Sequence, residues 1–550
     1  MVNASVPQCL ETRQSVGSAM RQTPLLTPRM LEAQGIEDAC LHCGLCLPAC
    51  PTYQTTGLES LSPRGRLFLM KEVLQAQLPL AEIRSSLESC LGCLSCQDAC
   101  PAGVPYESWL TNFKQALHDP KSSEESGWRQ AFKGVLQAGM ARFLKVLFAS
   151  PLWLYVLGAC ADSALRGLAW CMPWLVKPSS AMAGKKKFLG AWGSAVQAMK
   201  YLSHKGFQAL RGVTPYRPQR FKVLDALPRD EVSPRYLWRG CVMDAWMGEV
   251  HTSTQRVWEA LTHKPLHPTK AGQCCGALLF HQGAWWEAWQ QIQHTLHTTG
   301  RLLEKSPESA LLLTNAHGCG HMLSHYPKVL QELAPILEAR YHTVITPQEY
   351  QWATLIAQAS QDWLQALSAS VLEEPRLYVP EKRHAQLSDA PEPEHVAHVA
   401  LDSACHGQFG QHITPSMQQQ AFVQVLQALC QRHPSAAIGV KVYPVEKPRS
   451  SGCCGSAGSY SLWHPTMAQH LGEQRLAQYE GFSGKLTTTS PWEVGAVLTN
   501  NPGCLMHLQS LARREGKPYT VTHTATWLSH YLTLVSRPVT SGSASLLPEK

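Results

Sequence analysis

Two copies of one cysteine motif restrict the possible folds of this chain more than any other feature. The spacing Cys-x-x-Cys-x-x-Cys-x-x-x-Cys-Pro begins at Cys40 and recurs at Cys90. In such runs the first three thiolates hold one cubane 4Fe–4S cluster, and the fourth, which the proline turns away, usually ligates the other cluster. A structural zinc site takes its four thiolates in two pairs instead. The motif therefore predicts two 4Fe–4S clusters and electron-transfer chemistry.

This crossed pattern of ligation assigns the cysteines of the two runs to two sites. Gly44 and Gly92 fall inside the tight loops, where glycine lets the backbone approach the inorganic sulfurs. We name the sites the first and the second ferredoxin site. The first consists of Cys40, Cys43, Cys46 and Cys100, and the second consists of Cys90, Cys93, Cys96 and Cys50.

The segment between the two runs contains Ser62-Pro63-Arg64-Gly65-Arg66, for which two compatible interpretations stay open. Arg64 and Arg66 would raise the reduction potential of a nearby cluster by stabilising its more negative reduced form. Ser62 and Pro63 would instead serve as the cap and first residue of a helix predicted over residues 64–77. The apolar stripe of that helix is Leu67, Met70, Val73 and Leu74.

A second cysteine pattern occurs twice in the C-terminal half of the chain. Each copy has a single Cys, then Cys-Cys-Gly, then Gly-Cys, and strands predicted at 235–240, 310–315, 395–401 and 496–499 end beside these cysteines. Open α/β sheets bind ligands at the carboxyl ends of their strands. We predict two copies of one α/β module with four thiolates each, enough for a further iron–sulfur centre; a disulfide between neighbouring cysteines would be strained. The first module site consists of Cys241, Cys274, Cys275 and Cys319, and the second consists of Cys405, Cys453, Cys454 and Cys504.

The predicted fold class is an α+β multidomain protein, since 550 residues exceed what one compact core accommodates. A helical dicluster ferredoxin domain is expected at 30–118 and a helical connecting region at 119–230. The two α/β modules with Cys-Cys-Gly motifs are expected at 231–365 and 395–535, joined by a linker at 366–394. A disordered tail is expected at 536–550.

Composition limits the compartment and the partners. The N-terminus lacks a basic region followed by an apolar core, so clustered thiols in this chain indicate metal ligands in the cytoplasm rather than secreted disulfides. The formal charge of +8 suits an anionic substrate, an acidic partner or a membrane surface, and no basic run with interleaved aromatics indicates nucleic acid. Four cysteines outside the groups are expected to be packing residues: Cys9, Cys160, Cys171 and Cys430.

Two apolar stretches, at 146–161 and 167–176, are too short to span a bilayer. Helices packed on the protein or on a partner are the favoured interpretation, and a peripheral position on the inner face of the cell membrane is the alternative. Five histidines near the C-terminal cysteines are left open as ligands, proton relays or packing residues. They are His281, His317, His321, His406 and His507.

The amino-acid sequences of the motifs resemble those of one known family. The matching segments are Cys50-Pro-Thr-Tyr-Gln54, Ser62-Pro-Arg-Gly-Arg66, Gly240-Cys-Val-Met-Asp-Ala245, Gly272-Gln-Cys-Cys-Gly-Ala277, Cys453-Cys-Gly-Ser-Ala-Gly-Ser-Tyr460 and Asn501-Pro-Gly-Cys504. The chain is similar in these to the iron–sulfur subunits of bacterial glycolate oxidase (glycolate dehydrogenase). That family joins a dicluster ferredoxin domain to two Cys-Cys-Gly domains of the kind defined in heterodisulfide reductases.

The resemblance implies an electron-transfer subunit of a flavin-dependent 2-hydroxyacid dehydrogenase. Substrate oxidation and FAD would belong to partner dehydrogenase subunits, the electrons would pass towards a membrane quinone, and no residue of this chain would be catalytic. No Gly-x-Gly-x-x-Gly lies between a strand and a helix here, as a dinucleotide site would require. One alternative is that the chain is the electron-transfer subunit of a D-lactate or glycerol-3-phosphate dehydrogenase. The second alternative is that it is a catalytic heterodisulfide-type reductase. The second alternative is disfavoured because Ala316 and Asn501 replace the fifth cysteine of those modules.

Overall fold

A computed structural model describes residues 39–118, 233–373, 395–432, 438–444, 452–479 and 495–536. The predicted connecting region at 119–230, both apolar stretches, residues 537–550 of the predicted tail, and Cys9, Cys160 and Cys171 lie outside this part of the chain. Within the described part, no helix is long and apolar enough to cross a membrane.

The ferredoxin domain is helical, as predicted. Ser62 caps its second helix by accepting a hydrogen bond from the Gly65 amide at 2.9 Å, and Pro63 is the first helical residue. The buried side of that helix, with Leu67 and Met70, packs against Trp109 of the last helix. The helices are α1 (Pro51–Thr56), α2 (Pro63–Leu74), α3 (Arg84–Glu88), α4 (Ser95–Asp98) and α5 (Tyr106–His118), with a 3-10 turn at Glu59–Leu61.

The first module alternates strands and helices. It begins with β1 (Arg235–Leu237), α6 (Cys241–Trp246), α7 (Gly248–Thr262), β2 (His267–Pro268), α8 (Ala277–His281), α9 (Trp285–Thr295), a π-helical segment (Leu296–Gly300) and α10 (Arg301–Leu303). It continues with β3 (Leu311–Thr314), α11 (His317–Ser324), α12 (Tyr326–Tyr341), α13 (Pro347–Ala359), β4 (Ser360–Asp362) and α14 (Trp363–Leu372).

The second module repeats this plan. It contains β5 (His395–Asp402), a π-helical segment (His406–Gly410), α15 (Pro415–Arg432), β6 (Ile438–Pro444), α16 (Tyr460–Trp463), α17 (Pro465–Ala477), β7 (Gly495–Thr499), α18 (Pro502–Arg514), β8 (Tyr519–His523) and α19 (Thr524–Val535).

Sheet topology supports the inferred repeat. The first sheet has the strand order β2-β1-β3-β4 and the second has the order β6-β5-β7-β8, and every pair within them is parallel. Both modules therefore share one order of strands, counted from their own first strand. Cys241 and Cys405 follow the first strand of each module, and Cys319 and Cys504 follow the third.

Two expectations from the sequence require correction. The linker predicted at 366–394 begins too early, because residues 366–372 belong to α14, whose Trp363 and Leu367 are fully buried. The expectation that Cys430 is a packing residue is also wrong, because it is exposed on α15, with its sulfur 3.3 Å from the Tyr531 hydroxyl.

The two modules share one apolar core. The helix pairs α7 with α19 and α14 with α15 are packed across the module boundary, and Trp258, Trp363, Phe422 and Leu528 are all fully buried in that core. Backbone groups beyond the third strands also join the modules: the His317 amide donates to the Asn500 carbonyl at 3.0 Å. The modules therefore form one body rather than two domains on a linker.

The Gly of each Cys-Cys-Gly has a positive φ, +82° at Gly276 and +81° at Gly455, a conformation that disfavours residues with a Cβ. Each glycine amide donates to the sulfur of the first cysteine, Cys274 or Cys453, at 3.4 Å. A Cβ on Gly455 would lie only 2.3 Å from the Ala468 carbonyl oxygen. The motif thus needs glycine for both backbone conformation and space.

We expect Gly455→Ala to lower the free energy of unfolding by roughly 3 kcal/mol, the sum of left-handed strain and overpacking. Gly516→Ala is the matched control, because Gly516 has a φ of +63° and nothing within 4 Å of the added Cβ. It should cost only about 1–2 kcal/mol. Urea unfolding midpoints of the two full-length variants check this, and equal losses would contradict the steric argument.

Candidate iron–sulfur sites

The thiols of the first ferredoxin site line one surface cavity. Cys40, Cys43, Cys46 and Cys100 all border it, together with Cys96, Arg64 and Tyr106. Cys43 is exposed, so this site opens to solvent. Thiolates are the ligands of 4Fe–4S clusters, so the donor chemistry of the cavity fits the predicted group. The structure thus brings three thiols of the first run to the last thiol of the second, although their role as ligands stays a prediction.

The second ferredoxin site lies deeper. Cys50 and Cys93 are buried, and Cys90 and Cys96 are half-buried. Burial, followed by the charges of Cys93, Cys90 and Cys50, raises the pKa of the Cys96 thiol well above its ordinary value. The four cysteines assigned to this site are therefore electrostatic neighbours.

A buried arginine stands beside the second ferredoxin site. The Arg66 guanidinium donates to the Ser86 carbonyl at 2.8 Å and to the Thr52 hydroxyl at 3.1 Å. Although burial would raise it, the pKa of Cys90 lies below its ordinary value because of Arg66 and then Lys114. The Tyr106 hydroxyl also donates to the Cys90 sulfur, at 3.6 Å. Tyr106 was not among the residues predicted from the sequence, where its position shortly after the second run is the only feature that indicates it.

The structure confirms the capping interpretation of the segment between the runs, while an effect of Arg64 and Arg66 on reduction potential stays a prediction. Ser62 caps α2, while Arg66 places a positive charge at the second ferredoxin site. Arg64 instead lies at the first site, where its Nε pairs with Glu59 Oε1 at 2.6 Å and its Nη1 donates to the His42 carbonyl at 3.1 Å.

The first module site gathers its four thiols from three separate stretches of chain. Cys241 begins α6, and its sulfur is 3.7 Å from that of Cys274. The hydrogen bond that the Cys275 thiol donates to the neighbouring Cys319, followed by burial, raises the pKa of Cys275 well above its ordinary value. The predicted set is therefore assembled as two contacting pairs of sulfurs.

The second module site has a related arrangement. The Cys454 sulfur lies 3.1 Å from that of Cys504. Hydrogen bonding of the Cys453 thiol, as donor, to Cys405 and then to Cys454, together with burial, raises the pKa of Cys453 well above its ordinary value. No described cysteine forms a disulfide, so the disulfide alternative finds no support.

Among the residues that the structure describes, in the modules and the ferredoxin domain alike, no group of three or more His, Cys, Asp or Glu side chains is arranged to hold a single metal ion. The module ligands therefore stay a prediction.

The two modules differ at the position where heterodisulfide reductase modules have a fifth cysteine. Asn501 donates through Nδ2 to the Cys504 sulfur at 3.4 Å, and its Oδ1 accepts from the Gly318 amide at 3.2 Å. The corresponding residue of the first module is Ala316, which has no polar side chain. Hydrogen bonds to ligating sulfurs raise reduction potentials, so the Asn501 amide would raise the potential of a centre bound in the second module, and Ala316 offers no matching side-chain donor in the first.

The histidines near the C-terminal cysteines make different contacts. His406 Nδ1 lies 3.6 Å from the Cys405 sulfur, whereas His507 faces the Ala468 carbonyl at 3.0 Å. His317 Nε2 lies 3.3 Å from Asp362.

His281 and His321 face Glu107 of α5 at 3.9 and 3.3 Å. Burial alone would raise the pKa of Glu107, but His321 and then His281 hold it well below the ordinary range. No pattern in the sequence predicted this contact between α5 and the first module.

Replacing Cys275 or Cys454 by Ser should lower the iron bound per chain, because a hydroxyl is a poor substitute for a thiolate ligand. Cys430→Ser, at an exposed cysteine outside every site, should leave iron unchanged. Iron and sulfide analysis of the anaerobically purified chain checks this. Unchanged iron and an unchanged EPR spectrum in both site variants would refute the module ligands.

Asn501→Ala should make the reduction potential of the second module centre more negative without loss of iron, because one N–H donor to sulfur is removed. Gln509→Ala is a matched control on the same helix, since its amide donates to the Val521 carbonyl. EPR-monitored redox titration measures the shift. No shift, or the same shift in both variants, would contradict the role given to Asn501.

Comparison with known protein families supports this division of the chain. Residues 37–104 match the family model of the 4Fe-4S dicluster domain. Residues 236–324 and 431–509 match the model of the cysteine-rich domain. The second of these matches begins after Cys405, which the parallel sheet nevertheless places in the same module.

Individual relatives extend the likeness to most of the chain. The glycolate oxidase iron-sulfur subunit of Escherichia coli is 23% identical over 497 residues, which are 88% of this chain and 93% of the relative. The probable glycolate oxidase iron-sulfur subunit of Bacillus subtilis is 25% identical over 489 residues, which are 87% and 89% of the two chains. One chain of the Ferredoxin:CoB-CoM heterodisulfide reductase of Methanosarcina mazei is 29% identical over 116 residues, 20% of this chain and 66% of that one. The resemblance drawn from the motifs is confirmed: the chain combines a 4Fe–4S dicluster domain with cysteine-rich domains and is similar over most of its length to glycolate oxidase iron–sulfur subunits.

Proposed function

We propose that this chain is the electron-transfer subunit of a flavin-dependent glycolate oxidase complex. A partner subunit would hold FAD and oxidise glycolate to glyoxylate. This chain would accept the electrons singly and pass them towards a quinone.

One observation carries the proposal: two ferredoxin-type cysteine runs, which meet at a thiol-lined cavity, occur in a chain that aligns along 87–88% of its length with glycolate oxidase iron–sulfur subunits. The two relatives are aligned over 93% and 89% of their own lengths. The likeness therefore includes the cysteine-rich modules as well as the ferredoxin domain.

The protein's contribution is to hold thiolates at fixed positions and to set their electrostatic surroundings. A bound 4Fe–4S cluster supplies one-electron redox chemistry with little change of geometry. Arg66 and the Tyr106 hydroxyl stabilise negative charge at Cys90. Burial of Cys50 and Cys93 limits the contact of their sulfurs with water, although Cys90 and Cys96 of the same site are only half-buried.

A disulfide-cleaving role fits less well. The likeness to the M. mazei heterodisulfide reductase extends over only 20% of this chain. Ala316 and Asn501 provide no thiolate where the reductase modules have a fifth one, and Asn501 is instead a donor to Cys504.

The proposal is tested on the full-length chain purified anaerobically from its own host together with its partners. We expect a flavoprotein to co-purify, and glycolate to bleach the iron–sulfur absorbance of the complex. Reduction should require the flavoprotein, because no flavin site is assigned to this chain. The complex with Cys93→Ser should show flavin reduction with diminished iron–sulfur bleaching.

D-Lactate, glycerol-3-phosphate and a disulfide substrate serve as comparison reactants. Reduction by lactate or glycerol-3-phosphate without reduction by glycolate would contradict the substrate. Disulfide turnover by the chain alone, or glycolate oxidation without the flavoprotein, would contradict the assigned role.

A further inference from the structure

The second ferredoxin site and the second module site meet in one buried apolar contact. Leu91 and Cys93 of the ferredoxin domain share a core with Cys405, Cys453 and Tyr460 of the second module. Cys93 is 9% exposed and Cys453 only 4%, so little solvent separates the two sites. Cysteines of two predicted redox sites thus line opposite sides of a single dry contact.

Tyr460 stands between these sites. Besides burial, the causes that raise its pKa include Cys453 of the second module and Cys90 and Cys50 of the second ferredoxin site. The ring is 6% exposed. One side chain is thus within electrostatic range of both thiol sets.

The first module site is placed differently. Cys241 and Cys274 pack with Val242, Trp246 and Leu278, and in the described part of the chain no ferredoxin-domain residue belongs to that apolar group. The ferredoxin domain does touch the first module, but through polar groups such as Ser108 and Glu332, 2.7 Å apart.

The first module site instead borders the second module. A Cβ on Gly458, in the loop after Cys453-Cys454-Gly455, would lie 2.7 Å from the Leu278 side chain. Leu278 packs against Cys241 and Cys274. The second module thus packs beside the first module site as well as beside the second ferredoxin site, while α5 of the ferredoxin domain also contacts α8, which follows Cys274-Cys275-Gly276.

From this arrangement we propose that electrons pass directly between the second ferredoxin site and the second module site. This rests on the proposed function in one respect, namely that the modules carry iron–sulfur centres. Each transfer oxidises one centre by one electron and reduces its neighbour by one, with no bond made and no proton required.

The proposal is tested by EPR on full-length protein reduced in steps, without flavoprotein or hydroxyacid. The signal of the second ferredoxin centre is the one that disappears in Cys93→Ser protein, and the neighbouring first ferredoxin centre broadens it in every other variant. We expect an additional broadening, with rapid relaxation, once the second module centre is paramagnetic. Cys454→Ser should abolish this additional broadening, whereas Cys275→Ser, the matched change in the first module, should leave it intact.

Additional broadening that survives Cys454→Ser, or that is lost in Cys275→Ser, would overturn the proposal. If Cys454→Ser protein does not fold, the Cys275→Ser protein decides, because loss of the additional broadening there would assign it to the first module centre. A wild-type chain with iron for only two clusters would also overturn the proposal. These outcomes are independent of whether glycolate reduces the complex, so the two proposals fail separately.

Discussion

The crowding of cysteine thiols in buried sites is the constraint on which the rest of the structure depends. A thiolate is the form that binds iron, yet burial and neighbouring thiols oppose ionisation and raise the pKa values of Cys93, Cys96 and Cys504. Positive charge must therefore accompany the ionised sulfurs. Arg66 supplies part of it at the second ferredoxin site, and bound iron would supply the remainder, which couples metal binding to the stability of the fold.

The modules meet this constraint with one repeated solution. A parallel sheet delivers cysteines at the ends of its first and third strands, and the Cys-Cys-Gly turn adds two more. Because α7 packs on α19 and α14 on α15, the two copies share a core and hold their sites in fixed relation. The two modules differ in the residue next to their sulfurs. Asn501 donates a hydrogen bond to the Cys504 sulfur in the second module, whereas the corresponding Ala316 of the first has no donor side chain.

Local features of the fold were predictable from sequence, and contacts between distant segments were not. The strand before Cys319 and the capped helix at Pro63 follow from periodicity and cap residues, which report on neighbours along the chain. The pairing of Glu107 with His321 joins residues 214 positions apart, and no local pattern encodes it. The shared core explains why the predicted linker begins too early: residues of α14 that seemed polar enough for a linker pack against the second module. Likewise, the sequence assigned Cys50 and Cys93 to one site but gave no sign that Cys405 lies beside them.

The central claim is that the N-terminal domain holds two 4Fe–4S clusters close enough to exchange electrons. EPR spectroscopy of the reduced wild-type chain tests it most directly. The account predicts two S = 1/2 signals that interact magnetically, as expected of neighbouring clusters joined by crossed ligation through Cys50 and Cys100. A chain that binds zinc in place of iron, or that shows no reducible iron–sulfur signal, would contradict it.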